Sequence, residues 1–484
     1  MTRRISPFIY LAALLLAGFA HAAMPPGQEV APAQLSFPWS FTGDQQGAEL
    51  GAAVSGSGDL NGDGYADVVI GAPKYNTEAY RGGAAFAFYG SAAGLGLHPN
   101  WSAGSDQQGA RFGGAVSSAG DVNGDGFDDL LVGAHRANNG QPEEGRAMLY
   151  LGSPDGLPAT PAWHFDSDQA EAYLGYAVSG AGDLNGDGFD DVIIGAHLWD
   201  SGELLNTGAA FIFYGSAAGL PAAPGRILTG TQASGGFGAA VSSAGDVNGD
   251  GFDDVIIGAP LFNTPAAGDD SGKDAGAAYL YLGSAQGLAD APAWVAAGPH
   301  AGAEFGSAVG GAGDADRDGF ADVIIGAPHY SGDESDSGAA FLYRGRAGGL
   351  PATPDTTLTG PHSQSRFGAA VAFAGDFNHD GFDELVIGAP GYNGDQSLEG
   401  GIFVYGGSTL AWVGEGNKAA TDFGAAVASA GDVNGDGCAD IVVGAPQYRI
   451  ETDIRGRAFA THGQLTSLQA DFFTFLPVIV KAGK

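Results

Sequence analysis

Short apolar runs closed by glycine recur along the chain at nearly fixed intervals. Leu130–Ala134 (LLVGA) is typical: five aliphatic or small residues ending at Gly-Ala, too short for a helix and suited to a buried strand. Each unit carries three more strand-like pieces. In the second unit Phe112–Val116 comes first, Leu130–Ala134 second, Gly145–Gly152 third and Ala162–Phe165 fourth. Small residues in the first piece and an apolar run in the second suit positions crowded near a central axis. Units of this kind repeat seven times at spacings of 56 to 68 residues. Four short antiparallel strands per unit make a propeller blade, so the pattern predicts an all-β, seven-bladed β-propeller.

The chain ends test that expectation. Third-strand sequences occur seven times, the last at Gly456–Ala460, but only six are followed by a fourth-strand sequence. The missing one stands at the other end, where Pro38–Gly43 (PWSFTG) matches the fourth-strand pattern. The N-terminal strand is therefore expected to complete the last blade and close the ring, since an open ring leaves two unpaired edges.

Between the first and second strands the pattern turns polar, as D-x-[ND]-x-D-G-x-x-[DE] in every unit. Oxygen side chains at positions 1, 3 and 5 converge when the chain curls, and Gly at 6 permits the turn. A carbonyl at 7 and a carboxylate at 9 then complete an all-oxygen shell of the kind Ca²⁺ takes. The expected ligands in the first two loops are Asp59, Asn61, Asp63, Tyr65 and Asp67, then Asp121, Asn123, Asp125, Phe127 and Asp129. The third and fourth offer Asp183, Asn185, Asp187, Phe189 and Asp191, then Asp246, Asn248, Asp250, Phe252 and Asp254. The fifth offers Asp314, Asp316, Asp318, Phe320 and Asp322, whose four carboxylates make it the tightest expected site. The sixth offers Asp376, Asn378, Asp380, Phe382 and Glu384, and the seventh Asp432, Asn434, Asp436, Cys438 and Asp440. An EF-hand would need a Glu at position 12 and flanking helices, whereas a strand follows here at once. A metal-free Asx turn is the alternative for one loop. Seven such loops would each repel themselves without a cation, so up to seven Ca²⁺ are expected.

Composition adds a setting. Arg3 and Arg4, an apolar stretch from Ile9 to Ala20 and the small-x-small site Ala20-His21-Ala22 read as a secretory signal over residues 1–22. The expected divisions are then a linker over 23–37, the propeller over 38–465 and an apolar tail over 466–484. The nine-residue, mainly apolar stretch Phe472–Val480 in it is too short to span a bilayer as a helix, and no transmembrane segment is expected after signal cleavage. Cys438 is the single cysteine, so no internal disulfide braces the fold. A net charge of −36 opposes nucleic acid and anionic lipid, and fits an exported, periplasmic, secreted or surface protein, expected as a monomer.

Each unit also has Phe-Gly or Leu-Gly before the acidic loop and Gly-Ala-Pro or Gly-Ala-His after it. Examples are Phe237-Gly238 with Gly258-Ala259-Pro260, and Phe423-Gly424 with Gly444-Ala445-Pro446. From about residue 38 to 463 the chain resembles the FG-GAP repeat family, the repeat of the integrin α-subunit head. The resemblance implies a seven-bladed propeller with calcium loops on its lower face and ligand contacts on its upper face. It departs from the integrin head in having all seven loops intact and no inserted adhesion domain, so a generic binding or adhesion role toward an extracellular protein or glycan is what carries over.

Two residues past each Gly-Ala-Pro/His stands an aromatic in six units: Tyr75, Trp199, Phe262, Tyr330, Tyr392 and Tyr448, with Ala137 the exception. Antiparallel connectivity puts these on the face opposite the acidic loops, where they are expected to ring the axis and grip a ligand, or else to wedge between blades. The loop Leu261–Lys273, with Asp269 and Asp270, is the longest on that face. Enzyme signals are weak: ten scattered His, no H-E-x-x-H and no G-x-S-x-G. Adjacent carboxylates such as Asp253 and Asp254 suggest glycosidase chemistry only superficially, because neighbours on a strand point to opposite faces. A hydrolase or lyase with its site in the central upper pocket, and a passive surface or matrix component, are the alternatives.

Overall fold

The computed structural model describes residues 32–264 and 272–464, and their regular structure is β-strand with no α-helix among them. The stretch 1–22 read as a signal, the tail 466–484, and Asp269 and Asp270 lie outside the described residues. Seven sheets form the blades, six of four strands and one of five. In the first, Ala53–Gly56, Val68–Ala72, Ala84–Phe88 and Trp101–Gly104 pair antiparallel in that order. The first strands of neighbouring blades abut right round the ring, including the contact of Ala426–Gly431 in blade seven with Ala53–Gly56 in blade one. Every residue of the second strands, such as Val68–Ala72 and Asp322–Ala327, is buried. These strands have a partner on each side and a blade over each face, which is why they read as continuous apolar runs.

The glycines of the repeat set how closely blades approach. A Cβ placed on Gly71 would lie 2.0 Å from the carbonyl oxygen of Gly113, and one on Gly444 would lie 1.9 Å from that of Gly51. The first glycine of Gly-Ala-Pro thus touches the glycine of Phe-Gly in the next blade. The residue preceding that second glycine completes the seam through a parallel bridge, as between Gly83 and Phe112.

The ring closes as expected. Trp39–Thr42 pairs antiparallel with Arg457–Thr461, and Leu50 bridges Gly456 where the first blade meets the seventh. Ala33–Gln34 fall in the stretch read as linker, but run parallel to Trp412 and Val413 as a fifth strand on blade six.

Candidate metal loops and the opposite face

Within each acidic loop the side chains fold the backbone round themselves. Asp59 accepts hydrogen bonds from the N–H groups of Gly62, Asp63 and Gly64 at 2.7, 3.1 and 2.8 Å. Asn61 accepts from the Asp63 N–H, and Asp63 from the Tyr65 N–H, at 2.9 and 3.0 Å. Asp67 is fully buried and accepts from the N–H groups of Leu60 and Gly90, both at 2.9 Å. The position-1 and position-5 bonds recur in loops two, three, four and seven.

The ninth position is where charge is costly. Burial pushes Asp67 up to about 7, and does the same to Asp129, Asp191, Asp254 and Asp322, with the acids at positions 1 and 5, or 1 and 3 in blade five, adding to the effect. Burial pushes Glu384 up to about 8 and raises Asp440 as well. Two backbone N–H bonds do not offset the loss of water, so these carboxylates suit a neighbouring cation. In blade five, oxygens of Asp314, Asp316 and Asp322 lie within 4.8 Å of one another, and Asp316 Oδ1 is buried without a hydrogen-bond partner. An orphaned oxygen amid converging carboxylates fits a hard divalent ion. The extra charge of this loop is not free, however. Arg344 Nη1 lies 3.3 Å from Asp316 and competes with a cation, which removes the reason to expect blade five to bind most tightly. In blade six the longer Glu384 bonds Asn378 Nδ2 at 2.7 Å and leaves Asn378 Oδ1 buried and unpartnered.

Positions 4, 7 and 8 proved to join the loops to one another. The ring at position 7 packs on the glycine at position 4 of the preceding loop: a Cβ on Gly62 would meet Phe127 at 2.4 Å, and one on Gly435 would meet Tyr65 at 2.7 Å. In loop six His379 replaces that glycine and bonds the Gly437 carbonyl, and the next position 7 is the small Cys438. Burial and nearby Asp436 push the Cys438 thiol up to about 12, so it is unreactive. At position 8, Asp128 accepts from the Asp59 N–H of the previous loop at 2.7 Å, and Asp190, Asp253 and Asp383 repeat the bond to Asp121, Asp183 and Asp314. Sequence reasoning passed over this latch. Its only signal was the repeated acidic doublet, and the two acids of Asp253-Asp254 do face different partners.

On the opposite face the six aromatics stand over their own third strands. Tyr75, Trp199 and Phe262 meet Phe86, Phe211 and Tyr279 edge-on at 5.4, 5.2 and 6.3 Å. Tyr330, Tyr392 and Tyr448 meet Phe341, Phe403 and Phe459 at 5.8, 5.3 and 6.1 Å. All six are half-buried, and His300 and His362 cover Tyr330 and Tyr392. They therefore do not ring the axis. A turn bond from the Tyr75 N–H to the Ala72 carbonyl, with the Gly83 N–H bonding the Tyr75 carbonyl, carries the chain outward over the blade. Blade two lacks both partners, with Ala137 facing Met148, and holds a cavity of about 200 Å³ there. The axial mouth is a cavity of about 260 Å³ lined by Ala, Val and Gly from all seven first strands, with Tyr176 the one aromatic and no carboxylate among the described residues.

Comparison with known proteins agrees with this architecture. The FG-GAP repeat profile matches residues 50–88, 112–147, 174–213, 237–281, 305–343, 367–405 and 423–459. Integrin alpha-5 of Xenopus laevis is 32% identical over 232 residues, covering 46% of this chain and 20% of its own length. Integrin alpha-IIb of Homo sapiens is 32% identical over 249 residues, covering 49% and 23%. Integrin alpha-V of Gallus gallus is 33% identical over 225 residues, covering 46% and 20%. The match thus spans about a fifth of each relative. Among solved structures, BBS1N in complex with ARL6DN superposes with a TM-score of 0.50 over 90% of this chain and 99% of that one; at 10% identity this likeness concerns the fold alone.

Proposed function

The chain belongs to the FG-GAP repeat family, and on that premise we propose that it is an exported, calcium-stabilised propeller acting as a binding or adhesion module for an extracellular protein or glycan. The observation that carries the reading is the set of seven acidic loops, each built round a buried carboxylate, on a scaffold similar to integrin alpha subunits. Side chains at positions 1, 3, 5 and 9, with the carbonyl at 7, would hold the ions. Calcium would neutralise the buried acids and stiffen the lower face. The upper face, with the exposed edges of Tyr75, Trp199, Phe262, Tyr330, Tyr392 and Tyr448, would meet the ligand. A hydrolase site in the axial mouth lacks support from the described residues, among which no carboxylate lines that cavity.

With calcium tenfold above Kd each site adds about 1.4 kcal/mol, and seven independent sites add roughly 10 kcal/mol. That is as large as a typical domain's whole stability. Chelation is therefore expected to lower the melting temperature by many degrees, measured by calorimetry with and without EDTA; a shift of a degree or two would remove the calcium part of the reading. The binding role is tested on a mixed glycan and matrix-protein array in calcium, in EDTA and with Tyr330→Ala plus Tyr392→Ala. Selective binding lost in EDTA supports an adhesion module, and its loss in the double variant places the site at those aromatics. No selective binding on the array overturns the role.

A further inference from the structure

Because the blades repeat, positions where one blade departs from the others stand out. The residue before each Phe-Gly or Leu-Gly faces the residue after Gly-Ala-Pro/His. In blade one these are Glu49 and Lys74, an ion pair, and in blade five Glu304 and His329, 3.8 Å apart. Blade two places Arg111 and Arg136 there, like charge beside like charge. Arg136 leans on Glu143 at 3.4 Å and over the Tyr173 ring at 5.2 Å. Arg111 makes no ion pair or guanidinium hydrogen bond among the described residues, and its Nη1 is buried without a partner. Burial and then Arg136 hold the Arg111 guanidinium below its usual range.

The same corner breaks the repeat at three more places. His135 and His197 replace the proline of Gly-Ala-Pro in blades two and three, and the Nδ1 of each is buried and unpartnered. Tyr176 fills a position that is Ala52 in blade one and small in the others. Its ring lies 4.0 Å from His197 and 5.4 Å from His135, is 43% exposed, and stands on the rim of the axial mouth. Burial holds both imidazoles neutral, down to about 3 and about 4, so each ring has one donor and one acceptor nitrogen. An arginine whose acidic neighbours Glu49 and Glu143 are paired with Lys74 and Arg136, two imidazoles each with an unpartnered nitrogen and an exposed ring meet here in a chain whose net charge is −36.

We propose that this corner of the upper face, between blades two and three, binds a carboxylated sugar, a uronate-type residue of an acidic polysaccharide. Arg111 and Arg136 take the carboxylate, which guanidinium groups match in geometry and charge. Tyr176 takes the apolar face of the pyranose, and the Nε2 atoms of His135 and His197, rather than their buried Nδ1 atoms, take ring hydroxyls. An acidic peptide side chain would use the arginines but leave Tyr176 and the imidazoles idle, which favours the sugar. The proposal rests on the ligand-binding reading above and adds to it a place, a charge and a ligand class.

The test titrates the full mature protein, in saturating calcium, with a short oligogalacturonate, its carboxyl-reduced neutral counterpart and oligoglutamate of similar length. Arg111→Glu recreates with Arg136 the pairing of Glu49 and Lys74, and Tyr176→Ala installs the residue of blade one, so both variants should keep the parent melting temperature. The oligouronate should bind and the neutral sugar should not. Arg111→Glu should weaken binding about tenfold or more, as loss of a charged hydrogen bond does, and Tyr176→Ala should weaken it several-fold. Three results overturn the proposal: no oligouronate binding; binding that survives Arg111→Glu, as calcium bridging to the acidic face would; or oligoglutamate matching the oligouronate, which makes this an acidic-peptide site. A selective array ligand without oligouronate binding removes this proposal and leaves the wider role, whereas failure of both removes both.

Discussion

Asp128 and Asp129 are neighbours in sequence with separate tasks: one latches onto the previous loop and the other is buried beneath its own. Asp128→Ala is expected to cost about 1–2 kcal/mol by leaving the Asp59 N–H without its acceptor, while Asp128→Asn keeps an acceptor and costs less than half of that. Denaturant unfolding in calcium separates the two, and equal losses would mean that charge rather than the bond matters. The buried ninth position makes a pH prediction for protein in EDTA. Asp67 and its equivalents are raised from 3.8 to about 7 in the folded chain, so between those values the fold holds protons that the unfolded chain has released. Their contribution to stability is thus lost as pH rises through this window, and the full penalty is present above 7. The chelated protein should melt higher at pH 5.5 than at pH 8, and calcium should raise the melting temperature more at pH 8. The reverse order would contradict the burial seen at these acids. At this scale the fold of the acidic loops was legible because positions 1 to 9 bond to one another within the loop. The latch was not, because Asp59 lies 69 residues from its acceptor.

The strand order within each blade was also legible, since apolar run, glycine and turn follow one another locally. The radial placement of the upper-face aromatics was not. Antiparallel pairing gave the correct face, but the turn that follows Ala72 sends Tyr75 outward to Phe86 rather than inward to the axis, and nothing in a two-residue spacing encodes that. The glycines of Phe-Gly and Gly-Ala-Pro were legible as a motif, though their reason lies between blades. Gly71→Ala should cost about 3 kcal/mol or more, because its methyl would meet a neighbouring backbone carbonyl that cannot swing aside. Gly47→Ala tests the other property of glycine. Its φ is +76° with nothing within 4 Å of an added Cβ, so only the left-handed conformation is penalised, at about 1–2 kcal/mol. Comparable losses for the two would show that the blades can part to admit a methyl group.

Across the whole ring, six blades pass from third strand to fourth through continuous chain, and one does not. The chain ends predicted this seam, because a strand pattern missing after Thr461 reappears at Pro38–Gly43. Trp39 holds it in the manner used elsewhere. Its indole N–H donates to the Gly96 carbonyl of the next blade at 2.7 Å, as Trp101 donates to Pro158 at 2.8 Å, and the two rings are 6% and 8% exposed. Removing either ring should cost about 3–5 kcal/mol. The consequences differ in kind, because the strand carrying Trp101 is tethered to its sheet by a short connection, whereas Trp39 pairs with Ala460 at the other end of the ring, with no covalent link nearby. Trp39→Ala should therefore lower the melting temperature further than Trp101→Ala and expose residues 32–42 to protease before any other described segment. Equal melting losses with no early cleavage would show that Ala33–Gln34, paired to blade six, anchors the closing strand on their own.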